Sequence, residues 1–517
     1  MPERPNILLI MSDEHAPQFC GCYGHPVVQT PNLDRLAAEG TLFKNAYTNC
    51  PICVPARAAF MTGRYVHDIE VWDNHSPLDS GVPTIGTYLS QVGYETTLCG
   101  RTHFVGPDSL HGFEHRILDD VERWKNLGKR RASDRSPKAR RHSRSHVTEC
   151  GPGEHWHLDY DAEATDHALA FLRGKANAGP SDTPWLLYCG LMNPHFPLIC
   201  PPEYYRMYER PDLPLAKTRT EPLEAQHPSV RQTRHWQHGE ELLDEALERK
   251  ALASYYGLIT YTDELIGRLL NEIDNSRLKD NTVVIYVSDH GENAGEHGLW
   301  QKQCFYEHAV RIPFIARAPG APSGQRIAAD VSLVDVLPTA SGFAGQSHPG
   351  DLPGRDLSSA IRGRETPEGP VFSEYHTIGM EHAAYMMKEG PYKYNYYVNH
   401  EPQLFDLDSD PDELRDVVDD PAYAEICENL HQRLLGVVDP EALDRRAKAN
   451  QAVMRDNGSL EERSQDTLSP APLFVGGENG YNACLYETGD RNYNERLDLL
   501  RISPAWATEG ESKAKRT

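Results

Sequence analysis

The run Asn6-Ile7-Leu8-Leu9-Ile10-Met11 is apolar almost throughout and shows no alternation, so a strand built from it must be covered on both faces. Strands of that kind belong to parallel sheets with helices packed above and below, which makes α/β the expected class. Trp185 to Cys189 and Thr282 to Ser288 read as further strands, and Ile312 to Ile315 as another. The first run ends in Ser12-Asp13-Glu14-His15, the second leads to Asn193-Pro194-His195-Phe196-Pro197, and the third to Asp289-His290-Gly291-Glu292. Open α/β sheets place their ligands beyond the carboxyl ends of their strands, which is where these polar groups fall. A histidine between two prolines is poorly suited to regular structure, so His195 is expected in a loop.

Thr30 is expected to cap a helix running to Gly40, with Pro31 at its first position and Leu33, Leu36 and Ala37 on one face. Ile85 to Leu89 and then Gly93 to Cys99 form a helix-strand unit that empties into Gly100-Arg101-Thr102-His103. Lys250 to Ile273 sets Leu258, Tyr261, Leu265 and Leu269 at helical spacing. The pattern breaks at Gly363-Arg364-Glu365-Thr366-Pro367, which divides the chain into a large domain over residues 1–365, a small antiparallel-sheet subdomain over 366–440 and an extension over 441–517. In the second region Ala383 to Met387 and Tyr392 to Val398 flank Lys388-Glu389-Gly390-Pro391 as a hairpin, and Leu404 to Leu407 adds a strand. The extension is polar and without repeats; contact with another subunit of a homo-oligomer is the role expected of it.

At 517 residues the chain can bury a full core, and no apolar run approaches the ~18 to 20 residues of a membrane-spanning helix, so a soluble protein without membrane contact is expected. The net charge of -24 argues against general nucleic-acid binding, which needs a basic face. One local exception is Lys129 to Arg144, read as a solvated insertion or, alternatively, as a lid that attracts an anionic substrate. Eleven cysteines show no close-set pairing framework, and Ile7 to Met11 is too short for a signal-peptide core; reduced thiols and a cytoplasmic location are expected.

One stretch concentrates the chemistry. In Asn49-Cys50-Pro51-Ile52-Cys53-Val54-Pro55-Ala56-Arg57, residues Cys53, Pro55 and Arg57 stand at C-x-P-x-R spacing, and Gly63 marks the stop of the run that follows. Pro55 fixes a backbone dihedral where a helix begins. Cys53 is therefore expected just ahead of a helix N-terminus, where free N–H groups and partial positive charge favour an anion. Cys50 and Cys53 also form C-x-x-C, but Pro55 and Arg57 complete a different pattern.

Cys53-x-Pro55-x-Arg57, Gly100-x-x-His103, the Asp289-His290 pair and Lys302 succeed one another in an order that resembles the formylglycine sulfatase family, over roughly residues 5 to 435. The resemblance implies the alkaline-phosphatase-like fold: a large, mostly parallel sheet flanked by helices, with a smaller C-terminal α+β domain. Thr102 to Asp108 with Leu110 to Glu114 is similar to the choline-sulfatase branch, and Glu374 to Gly379 keeps part of the acidic pattern of that branch. Two positions depart from common family patterns. Arg101 stands where lysine is usual, a planar fork in place of a point charge, and His290 stands where arylsulfatases commonly have asparagine, which admits manganese beside calcium.

Carried over position by position, the resemblance implies that a formylglycine-generating enzyme oxidises Cys53 to 3-oxoalanine. Asp13, Asp289, His290 and an oxygen of the modified Cys53 would hold one divalent metal ion, calcium first and manganese second, with Glu14 open as a further ligand. The aldehyde hydrate, held by Arg57, would attack sulfur. Lys302 and His195 would neutralise the sulfuryl oxygens and protonate the departing alcohol, and His103 would take the proton whose removal releases sulfate. Arg101 and Asn74 fall on the substrate side, and Trp124 either faces a quaternary ammonium by cation–π attraction or is a core aromatic. The expected activity is hydrolysis of a small-molecule sulfate ester. The alternatives are phosphonate monoester or phosphodiester hydrolysis on the same fold, and a metal-binding protein in which Cys53 stays a thiol.

Overall fold

The computed structural model describes residues 4–120, 144–179, 181–237, 239 and 241–465, with side chains described as far as residue 454. Trp124 and the basic stretch before Arg144 lie outside the described residues. In chain order the strands are β1 (Asn6–Asp13), β2 (Thr41–Tyr47), β3 (Glu95–Gly100), β4 (His115–Leu118), β5 (Gly151–Pro152), β6 (Trp185–Pro194) and β7 (Ile199–Cys200). They continue as β8 (Thr282–Ser288), β9 (Arg311–Arg317), β10 (Gln325–Ser332), β11 (Val371–Tyr375), β12 (Ala384–Glu389), β13 (Tyr392–Tyr397) and β14 (Gln403–Asp406). Eight of them form one sheet in the order β10, β2, β9, β8, β1, β6, β3, β4; β11 to β14 form an antiparallel sheet, and β5 pairs with β7. In the large sheet only β9 runs against its neighbours.

β1 is central because it is buried on both faces. It pairs in parallel with β8 on one side and β6 on the other. Ile7, Leu9 and Met11 pack into a layer with Phe60, Ile85, Leu89 and Leu337, while Leu8 and Ile10 face Leu36, Leu172, Leu269 and Leu270. Each such side chain contributes about 1.5–3 kcal/mol on full burial, so a polar residue at any of these positions would be costly. The expected Lys250 to Ile273 helix is observed as Glu245–Asp274, starting at Asp244, whose carboxylate accepts from the N–H groups of Ala246 and Leu247.

Several details differ from the sequence-based expectation. β2 and β10 were not anticipated: Lys44 and Asn45 interrupt the first, and the second is an edge strand whose outer residues face solvent in alternation. β6 runs on through Pro194, so the loop bearing His195 starts later than the apolar run suggests. Thr30 does not cap the Pro31–Glu39 helix with its side chain. The N–H groups of Asn32 and Leu33 are taken instead by the carboxylate of Asp263, at 3.0 and 2.8 Å, from the long helix packed alongside. Cys53 is the first residue of its helix, Cys53–Thr62, rather than the one before it, and Gly63 ends that helix in the left-handed conformation.

The second sheet and the Ala424–Val437 helix pack together. The Pro440–Gln465 helix follows, and its buried Gln451 bridges the two sheets' surroundings, donating from Nε2 to Asp73 Oδ2 and to the carbonyl of His376, both at 2.9 Å. The ten cysteines among the described residues are free thiols. Among the described residues no helix is long and apolar enough to cross a membrane.

Candidate active site

The carboxyl ends of β1, β8, β6 and β3 meet the N-terminus of the Cys53–Thr62 helix. Asp13 is the last residue of β1, and Asp289 and His290 directly follow β8. Ligand atoms of Asp13, Cys53, Asp289 and His290 all lie within 4.8 Å of one another, and all four residues are buried. Cys53 Sγ is 3.1 Å from His290 Nε2 and 3.7 Å from Asp13 Oδ1. His290 Nδ1 donates to the carbonyl of Gly291 at 3.1 Å, so Nε2 carries the lone pair that faces the cluster. Burial holds the imidazole neutral by pushing its pKa well down, aided by the nearby Lys302 ammonium.

Two guanidinium groups balance the two carboxylates. Arg57, one turn along the helix from Cys53, donates to Asp289 Oδ2 at 2.7 Å and to Asp13 Oδ2 at 3.1 Å. Its remaining donors reach the carbonyl of Arg101 and the hydroxyl of Tyr188. Arg101 donates from Nε to Asp13 Oδ2 at 2.6 Å. Burial alone would raise Asp13, but the Arg101 and Arg57 guanidinium groups reverse this and hold its carboxyl well below the usual range. Asp289 goes the other way, pushed up by burial to about 6 against the pull of Arg57. Burial likewise pushes the Cys53 thiol up. Removing Arg57 would leave both carboxylates short of a partner, a loss of about 3–5 kcal/mol where an ion pair is fully buried.

A second wall faces this cluster. Glu14 has φ 67°, and its carboxylate forms a second close group with Asp13 and His195, their ligand atoms within 4.8 Å of one another and Glu14 Oε2 3.3 Å from His195 Nε2. Lys302 Nζ donates to Glu14 Oε1 at 3.0 Å and to His195 Nε2 at 3.1 Å. His195 Nδ1 donates to the carbonyl of Phe196 at 2.6 Å, which leaves Nε2 as the acceptor. Burial and Lys302 keep this ring neutral as well. Lys302 itself is held charged: burial opposes ionisation, and the neighbouring Cys53, Glu14 and Asp13, with the hydrogen bond to Glu14, overcome it. The lysine is presented between Gln301 and Gln303, both at positive φ, a conformation that costs non-glycine residues about 1–3 kcal/mol each. Glu292 stabilises it by accepting from the N–H groups of Ala294 and Gln301.

Thus Asp13, Cys53, Arg57, Arg101, His195, Asp289, His290 and Lys302 converge. Arg101, expected on the substrate side, lies on Asp13 and also donates to His103 Nδ1 at 3.0 Å. That contact leaves the proton of a neutral His103 on Nε2. The backbone N–H groups of Thr102 and His103 are held by Asp120. Asn74 Oδ1 accepts from the N–H of Val54 at 3.0 Å, serving the start of the cysteine helix and leaving Nδ2 as its donor. Glu14 stands outside the four-donor cluster. Glu374 accepts from His67 and from His376; burial would raise it, but these two rings hold it at about 2. Sequence reading had not singled out Tyr188, Asp120 or Glu292 as site residues. Glu292 alone carried a signal, its closeness to Asp289 and His290.

Known proteins resemble this chain over most of its length. The profile of the family described as Sulfatase matches residues 5–346, and that of the N-sulphoglucosamine sulphohydrolase C-terminal region matches 295–439. A choline-sulfatase of Rhizobium meliloti is 33% identical over 433 residues, covering 81% of this chain and 83% of that protein. Human arylsulfatase K is 29% identical over 84% of this chain and 82% of its own. Among solved structures, a phosphonate monoester hydrolase from Silicibacter pomeroyi superimposes with a TM-score of 0.69 at 23% identity, covering 84% of this chain and 94% of its own, which shows the shared fold. Two thirds of the chain, including every residue of the cluster at the strand ends, therefore falls within one family, and the protein belongs to the sulfatases.

Proposed function

We propose that this sulfatase cleaves the sulfate ester of a small alcohol to the alcohol and inorganic sulfate, with Cys53 matured to formylglycine beside one divalent cation. The observation that carries this reading is the meeting at one buried point of Cys53, at the start of its helix, with Asp13, Asp289 and His290. Two carboxylates and an inward-facing imidazole nitrogen suit a hard cation that also accepts nitrogen, calcium or manganese. When bound, such an ion supplies Lewis-acid activation of the nucleophile. Cys53 Sγ stands in for the hydroxyl oxygen that a hydrated formylglycine carries.

The chain's own residues do the rest. Arg57 fixes the two carboxylates relative to the start of the helix. Lys302 offers its ammonium to the sulfuryl oxygens, and Lys302 with neutral His195 delivers the proton to the departing alcohol oxygen. His103 receives the last hydroxyl proton after Arg101 gives up Nδ1. Asn74 Nδ2 is the remaining donor toward the substrate.

The similarity to a choline-sulfatase makes choline sulfate the first ester to test. Glu374, already neutralised by two histidines, is a poor counter-ion for the ammonium. Maturation by a formylglycine-generating enzyme and a reducing cytoplasm fit the free thiols.

Peptide mass spectrometry should find the aldehyde at position 53 in protein co-produced with that enzyme, and Cys53→Ala should lose nearly all turnover. Full turnover in the alanine variant would refute the reading. Matched sulfate and phosphonate esters assayed side by side decide the reaction class, and a higher kcat/KM on the phosphonate would move the protein to the phosphonate monoester hydrolases.

A further inference from the structure

A second set of donors comes together in the loop between β1 and the Pro31–Glu39 helix. Cys20 and Cys22 flank Gly21 with their sulfurs 3.3 Å apart. Asp34, in the first turn of the helix, faces the same point, and ligand atoms of the three residues lie within 4.8 Å of one another. Cys20 is buried while Cys22 and Asp34 are half-buried, so one side opens toward solvent.

The surrounding structure holds this arrangement in place. A Cβ at position 21 would stand 2.5 Å from Asp34 Oδ2, so only glycine lets the carboxylate come this close to the turn between the two thiols. Thr30 Oγ1, which the Asp263 cap leaves free of helix capping, accepts from the N–H of Gly21 at 2.8 Å and donates to Asp34 Oδ1 at 3.0 Å. It also lies 3.3 Å from Cys20 Sγ. The carbonyl of Cys22 is tied to Arg326, and the Tyr23 hydroxyl donates to the carbonyl of Phe43 while accepting from the N–H of Phe314. The hydrogen bond to Cys20, together with burial, keeps Cys22 a thiol while no cation is present.

Two sulfurs and a carboxylate oxygen with one open side are the donor set of a four-coordinate d¹⁰ cation, with water as the fourth ligand. We propose that Cys20, Cys22 and Asp34 bind a Zn²⁺-class cation, separate from the catalytic cluster, and thereby pin the loop that follows Asp13 to the Pro31–Glu39 helix. Binding breaks two S–H bonds, releases both protons to solvent and forms two sulfur–metal bonds and one oxygen–metal bond. Tetrahedral bonds of ~2.3 Å set the sulfurs ~3.8 Å apart, a shift of a few tenths of an ångström from the observed spacing. A disulfide at ~2.05 Å would need more than twice that movement and would give Asp34 no part.

The test uses the full chain, freshly reduced and stripped with a chelator, titrated with Co²⁺, whose thiolate complexes absorb in the near ultraviolet. One equivalent should raise a charge-transfer band that Zn²⁺ bleaches. The band should persist in Cys53→Ser, vanish in Cys22→Ser and require at least ~10-fold more metal in Asp34→Asn. Zn²⁺ should also raise the melting temperature of the wild type but not of Cys22→Ser, a half-buried replacement whose fold is checked by circular dichroism and by unchanged turnover. No band, a band lost with Cys53→Ser, or one indifferent to Cys22→Ser would overturn the proposal. So would a chain that loses two hydrogens in air yet binds no cobalt when reduced, because that result describes a disulfide instead.

Discussion

Asp13 and Glu14 are neighbours in the chain and both are buried, but their carboxyl groups look out on different surroundings. Asp13 ends a central strand and meets Arg57 and Arg101; Glu14, turned by its positive φ, meets Lys302 and lies among other carboxylates, Glu292 and Asp13. On the Asp13 wall two guanidinium charges balance two carboxylates, so a bound dication would leave the wall positive, as an incoming sulfate ester requires. On the Glu14 wall, burial and the neighbouring acids push Glu14 well up even against the Lys302 ammonium. One wall is built from fixed charge and the other from groups whose protons can move.

The sharpest way to break this contrast is to neutralise Asp13. Asp13→Asn should lose at least ~10³-fold in turnover, about 4 kcal/mol of transition-state stabilisation, and elemental analysis should show its divalent metal gone. Lys302→Ala comes next, with metal content kept and a loss of ~10²- to 10³-fold on an alkyl sulfate. The same variant should lose far less on a nitrophenyl sulfate, whose leaving group departs without a proton; equal losses on both would leave Lys302 with charge stabilisation only. Glu14→Gln should be the mildest in turnover, about tenfold, with metal retained. Loss of metal in that variant would move Glu14 to the other wall.

The smallest effect is one of pH, read by denaturant unfolding of the chelator-treated protein. Asp13 binds its proton more weakly folded than unfolded, so its stabilisation is present above the ordinary carboxylate range and is lost as pH falls through its depressed pKa. Glu14 binds its proton more tightly folded, so its contribution is full below that range and is lost as pH rises through its elevated pKa. The stability gap between wild type and Asp13→Asn should therefore close on acidification, and that between wild type and Glu14→Gln should shrink on alkalinisation. Parallel trends would dissolve the distinction.

Much of the fold could be read from residues whose burial admits no alternative. The runs at Ile7, Trp185 and Thr282 announce two-sided burial, and the polar groups beyond them fall at the strand ends as an open sheet demands. β2 and β10 are not legible in the sequence because Lys44, Asn45 and the solvent-facing residues of an edge strand break the apolar pattern. Within the site, residue types pointed to the cluster, but orientation did not follow from them. Nothing local in the sequence says that Arg101 turns to Asp13, that Glu14 turns to Lys302, or that Asp263, 233 residues after Thr30 in number, takes over the helix start from it. Those choices depend on what the folded chain brings alongside.

The order of the sheet also sets a sequence of events in time. β1 leaves the ribosome long before its two partners, β6 and β8, which begin only at residues 185 and 282. At ordinary elongation rates that delay is on the order of tens of seconds. Throughout it Cys53, which the finished fold leaves only 1% exposed, lacks the β8 loop that closes over it. If Cys53 is matured as proposed, the modifying enzyme has its opportunity while the chain is still being made, and variants that slow the arrival of β8 lengthen it.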